Sequence, residues 1–150
     1  MACPFFMPTE KQEDGAWMHP ARLPLGWGWR GYCTAPGHEH AIPSDEQLRD
    51  GCNVGYAGNC PYRPNERFCD SIRFGVTKEC ERRIQLCYVC EKDHRPIEHG
   101  ALEYDPVLRR WVKVHHNSVF QKMADCYIGE YLLRRQLRAD LEISNTAQEQ

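Results

Sequence analysis

Ile84-Gln85-Leu86-Cys87-Tyr88-Val89-Cys90 can be read in two ways, and the choice decides the fold. With His94 and His99 it spells Cys-x2-Cys-x3-His-x4-His, the spacing of a small zinc knuckle. The same residues alternate with a period of two, which is the pattern of a half-buried β-strand. In a strand, residues three apart point to opposite faces and sit about 10 Å apart. Two thiolates so placed cannot share one tetrahedral metal, and no adjacent glycine offers a bend. The strand reading is therefore preferred, and Cys87 and Cys90 are not expected to be paired ligands. A thioredoxin-like dithiol is disfavoured too, because that chemistry sets its Cys-x-x-Cys at a helix N-terminus and none is signalled here.

Reading outward from this strand gives an antiparallel meander. Ser71-Ile72-Arg73-Phe74-Gly75-Val76 alternates in the same way. On the other side, residues 94–100 read as a connection and Ala101-Leu102-Glu103-Tyr104 as a strand. Asp105-Pro106 then marks a turn, and Arg110 to His115 a further strand. Ser118 with Gln121 spells a capping box, and Phe120, Met123, Ala124, Tyr127, Tyr131 and Leu132 recur at helical spacing. A helix covering one sheet face is expected from Ser118 to about Ala139, with residues 140–150 as a frayed polar tail.

Residues 1–68 differ from the sheet-and-helix unit at 69–139. Most of the glycines and prolines lie here, and no strand of normal length is evident. One short helix is signalled by Ser44 with Gln47 as a capping box and Gly51 as a stop. Yet the segment holds Phe5, Phe6, Trp17, Trp27, Trp29, Tyr32, Tyr56 and Tyr62. An aromatic-rich stretch with little regular structure needs another organiser, and a metal cross-link would serve. The expected class is α+β: an irregular Gly/Pro/Cys-rich N-terminal metal-binding segment on a small antiparallel sheet with a C-terminal helix.

The chain has 150 residues, nine of them cysteine, and a formal net charge of −2. Met1 to Pro8 has no basic n-region or long apolar h-region, and no run approaches the ~20 apolar residues of a membrane span. The expectation is a cytoplasmic chain without membrane insertion. There, stable disulfides are rare and clustered cysteines more often bind metal.

The dispersed cysteines Cys3, Cys33, Cys52 and Cys60 are the expected ligands. Each stands near a residue that frees or fixes the backbone: Cys3 before Pro4, Cys33 after Gly31, Cys52 after Gly51, Cys60 between Gly58 and Pro61. Such loops can wrap tightly and aim amides at sulfur, and aromatic neighbours restrict water. Four thiolates suit Zn²⁺ or an iron–sulfur cluster. Zinc sites gather ligands in close pairs, whereas a [4Fe-4S] cubane, reached at four separate corners, tolerates dispersed ones. The two Cys-Pro pairs are similar to the one in the bacterial ferredoxin ligand run, though the close Cys-x2-Cys-x2-Cys spacing is absent. The cluster is the first expectation and zinc the alternative. Cys69, Cys87, Cys90, His38 and His40 are substitutes for one ligand. Cys69, Cys80 and Cys126 otherwise read as packing or surface residues.

No nucleophile elbow, phosphate loop, dinucleotide fingerprint or His-Glu-x-x-His is present. Residues 107–138 carry seven basic and two acidic residues, a net +5. Cations at the end of a helix are explained by its dipole, so nucleic-acid binding is not the expectation. The expected function is a non-catalytic iron–sulfur protein in electron transfer, redox sensing or an accessory-subunit role, with a redox partner or larger complex. The alternatives are a zinc-stabilised protein- or nucleic-acid-interaction module and a small metal-dependent enzyme using His94, Glu98 and His99.

Overall fold

The computed structural model describes residues 1–13, 15 and 17–148. Its architecture is α+β: two antiparallel sheets and a C-terminal helix. The larger sheet is a meander of four strands in chain order, β3 (Ser71–Cys80), β4 (Arg83–Lys92), β5 (Arg95–Asp105) and β6 (Arg110–Lys113). The alternation in Ile84–Cys90 sends Ile84, Leu86 and Cys90 into the core. Cys87 faces the other way, its Sγ 3.3 Å from Thr77 Oγ1.

Residues 94–100, expected as a connection, are strand instead: the turn is only Asp93-His94. Pro96 is tolerated because β6 pairs only with Glu103 to Asp105, so this stretch of β5 has a free edge. The Asp105 turn forms as read, with its carboxylate accepting from the Val107 and Leu108 amides.

The long helix α2 (Ser118–Gln148) lies on the inner sheet face. Phe120, Met123, Ala124 and Ile128 are buried, and the Tyr127 ring packs against that of Phe74. Each large side chain so buried stabilises by roughly 1.5–3 kcal/mol. The cap is Asn117 rather than Ser118. Its side chain accepts from the amides of Val119 and Phe120, while Gln121 reaches back to His115. The helix runs well past Ala139, so residues 140–148 are helical and not a frayed tail. Its last turns stand in solvent, with Leu137 and Leu141 exposed.

The first 68 residues contain more regular structure than their composition suggests. β1 (Phe6–Lys11) and β2 (Trp29–Cys33) form a two-stranded antiparallel sheet. A bulge between Pro8 and Glu10 and the glycine at position 31 hide both strands from a composition reading. The helix at Ser44 forms with its capping box (α1, Asp45–Gln47). It does not stop at Gly51 but widens into a π-turn, Leu48–Cys52. Helix α2 joins the two sheets. Lys11 of β1 pairs with Glu130 at 2.9 Å, while Tyr131 and Arg135 both bond to Glu79 of β3.

Candidate functional site

Four separate backbone devices bring four cysteines to one place. Cys3 is positioned by a β-bridge between Ala2 and Ile72 of β3, and by its own amide on the Cys52 carbonyl at 3.0 Å. Cys33 ends β2 directly opposite Phe6 in the β1–β2 register. Cys52 ends the π-turn. Cys60 sits in the following loop. Both Cys-Pro pairs are the first two residues of a hydrogen-bonded turn. The Phe6 amide donates to the Cys3 carbonyl at 3.1 Å, and the Arg63 amide to the Cys60 carbonyl at 3.2 Å. Proline at the second turn position presets φ and has no N–H to satisfy.

The loops are bolted together by side chains. Asn53, 1% exposed, acts as a miniature strand partner. Its Oδ1 accepts from the Trp29 amide at 2.9 Å, and its Nδ2 donates to the Trp29 and Leu48 carbonyls at 3.0 Å each. This locks the Cys52 turn to the strand that carries Cys33. Gly55 adopts φ +72°, and a Cβ there would lie 2.7 Å from Ser71 Cβ, so only glycine lets the 52–60 loop seat against β3.

Cys3, Cys33, Cys52 and Cys60 all line one cavity of about 550 Å³. Phe5, Phe6, Pro43, Tyr56 and Tyr62 contribute an apolar and aromatic wall; Glu46, Gln47, Asp50, Asn59 and Arg63 supply its polar residues. Among the described residues, no group of three or more His, Cys, Asp or Glu side chains is arranged to hold a metal ion. The four cysteines share the wall of this one cavity.

Their electrostatics are linked. Burial pushes the Cys3 thiol up to about 11; the Phe5 and Phe6 amides oppose this, and charge on Cys33 or Cys60 adds to it. Burial also raises Cys52, with further increments from Cys3, Cys60 and Cys33. Cys33 is raised by burial, opposed by the Ala35 amide at 3.4 Å from its sulfur, and raised again by Cys60. Charge on neighbouring thiols raises Cys3, Cys33 and Cys52 further.

The other candidates lie elsewhere. His38 stacks on Tyr62 with ring centroids 4.5 Å apart, and His40 packs on Tyr32 at 5.1 Å. Neither lines the cavity. Cys69 and Cys90 are both buried, and each perturbs the other's thiol; Cys69 lies close enough to Cys3 to feel its charge. Cys80 is exposed at a turn and Cys126 is buried in α2. His94 and His99 do not meet, because His94 stacks on Tyr56 while His99 pairs across the strand with Val89. In the basic segment, Arg134 donates to the Gly26 carbonyl at 3.0 Å and Arg135 bonds to Glu79. No helix among the described residues is long and apolar enough to cross a membrane.

Asn53 and Asp70 are the structural residues that sequence reading missed. Burial alone would raise the Asp70 carboxyl, but the Asp93 amide and the guanidiniums of Arg67 and Arg63 outweigh it and hold it at about 2. The only local signal was an acid close to two arginines in the sequence. No protein-family model matches the chain, and neither a curated protein nor a solved structure is detectably similar to it.

Proposed function

We propose that Cys3, Cys33, Cys52 and Cys60 hold an iron–sulfur cluster of the [4Fe-4S] type, and that the chain acts in electron transfer, redox sensing or as an accessory subunit. The observation that carries this reading is that all four thiols line a single cavity of about 550 Å³. A lone zinc ion needs four sulfurs within about 2.3 Å of one point, whereas a cubane presents four irons to four separated thiolates. The amides of Phe5 and Phe6 at Cys3 and of Ala35 at Cys33 suit the charge of a bound cluster. The aromatic wall would limit water. No nucleophile or general acid–base group is required, so the role is non-catalytic, with a protein redox partner in a reducing cytoplasm.

The test is spectroscopic. Protein purified without oxygen should show broad absorbance near about 400 nm that bleaches with dithionite. A colourless protein carrying one zinc per chain would replace this reading with a zinc-stabilised interaction module.

A further inference from the structure

We infer that the hairpin joining β4 and β5 is a sensor of the cysteine cavity's state. This rests on the cluster reading above and adds an output to it.

The turn at the tip consists of Asp93 and His94 alone, with φ of +51° and +60°. Both residues therefore sit in the left-handed region, where a two-residue hairpin turn normally uses Asn-Gly, Asp-Gly or Gly-Gly. Asp93 suits the first place, but His94 stands where glycine is usual, so the turn leans on its surroundings as well as on its own preference.

The surroundings come from the cysteine-bearing half of the chain and its junction with β3. The Asp93 amide donates to Asp70 Oδ2 at 2.8 Å, and the His94 amide donates to Tyr56 Oη at 3.0 Å. Thus the N–H of each left-handed residue is captured by a side chain from residues 56–70. The Tyr56 and His94 rings also stack, with centroids 4.3 Å apart and planes 8° from parallel. Asp70 in turn is gripped by Arg63 at 2.7 Å and by Arg67.

Both latches lead back to the cavity. Tyr56 and Arg63 line it, and they flank Cys60 in one loop. Arg63 is the last residue of the Cys60-Pro61 turn. When a cluster holds Cys60, that loop is fixed, and with it Tyr56 and Arg63. When the cluster is lost, the loop regains freedom, both latches loosen and the turn relaxes. The hairpin tip is thereby coupled to the cluster through two contacts of the Cys60 loop, which is what a redox sensor needs to present a changed surface to a partner.

Hydrogen exchange tests this on the full chain. Holoprotein with measured iron is compared with protein whose cluster has been stripped by chelator while its thiols are kept reduced. Amides of residues 92–96 should exchange at least about tenfold faster in the stripped form, while the β3–β4 hairpin at residues 79–84 stays unchanged. In Tyr56→Phe protein compared at equal measured iron content, the His94 amide should exchange faster, because its acceptor is gone. Equal exchange in the two forms, at confirmed iron content, would overturn the coupling and leave the cluster intact as a reading. Faster exchange in both hairpins would also overturn it, since that is global loosening. Absence of iron under all anaerobic conditions would remove the cluster reading and the coupling with it.

Discussion

The two halves of this molecule are ordered by different means. From Ser71 onward, a long four-stranded antiparallel ladder, bulged at single points, and one amphipathic helix supply backbone pairing and a buried apolar face. Before that, a short bulged two-stranded sheet carries loops fixed by individual side chains, Asn53 above all, around a cavity lined by four thiols. The first kind of order is distributed, so no single polar contact decides it. The second is concentrated in a few bolts and, under the proposed function, in a metal centre. The comparison teaches that the cysteine-bearing half should be the conditional part of the fold.

The largest expected effect breaks that symmetry directly. Replacing Cys60 by Ser should abolish most metal binding and lower the stability of residues 1–68 by roughly 4 kcal/mol, the linkage term for a ligand at a thousandfold its Kd. Cys87→Ser, on the outer sheet face, should leave both unchanged. Metal analysis with urea unfolding checks the pair, and the reverse pattern would move the site onto β4.

Next in size is Asn53→Leu. It strands the amide and carbonyl of Trp29 in a partly buried setting, at a cost of about 1–3 kcal/mol for the groups left unpaired. The midpoint of chemical unfolding should fall accordingly.

A smaller effect comes from acid. Asp70 titrates at about 2 in the folded chain, against an ordinary value of 3.8. A carboxyl depressed on folding contributes stability above its unfolded pKa and loses it as pH falls through the folded one. Stability should therefore drop between about pH 4 and pH 2, and in Asp70→Asn that part of the drop should vanish. Stability measured against pH for the two proteins decides this. The smallest effect is Leu141→Ala, on the exposed end of α2, which should change stability by under about 0.5 kcal/mol in thermal unfolding.

The halves also differ in how far they could be read from sequence. Period-two alternation at Ile84–Cys90 and Ser71–Val76, and helical spacing after Asn117, are local signals, and the meander and helix follow them. Pro96 misled, because a proline at a free edge looks in sequence like a proline in a turn. Pro8 and Gly31 misled in the same way in β1 and β2, whose pairing spans a long loop. After Leu141 the end of α2 is mostly polar and its leucines at 137 and 141 stay exposed, so no buried face marked its helicity in the sequence. At the site, Gly and Pro beside dispersed cysteines pointed to all four residues on the cavity wall. Asn53 gave no signal, since its partners at Trp29 and Leu48 are set by the tertiary fold.

Under the proposed function, Cys3, Cys33, Cys52 and Cys60 surround a cluster rather than a single ion. Counting iron, acid-labile sulfide and zinc in anaerobically purified protein tests it most directly. About four irons and four sulfides per chain are expected. One zinc per chain without sulfide, or no metal at all, would contradict it.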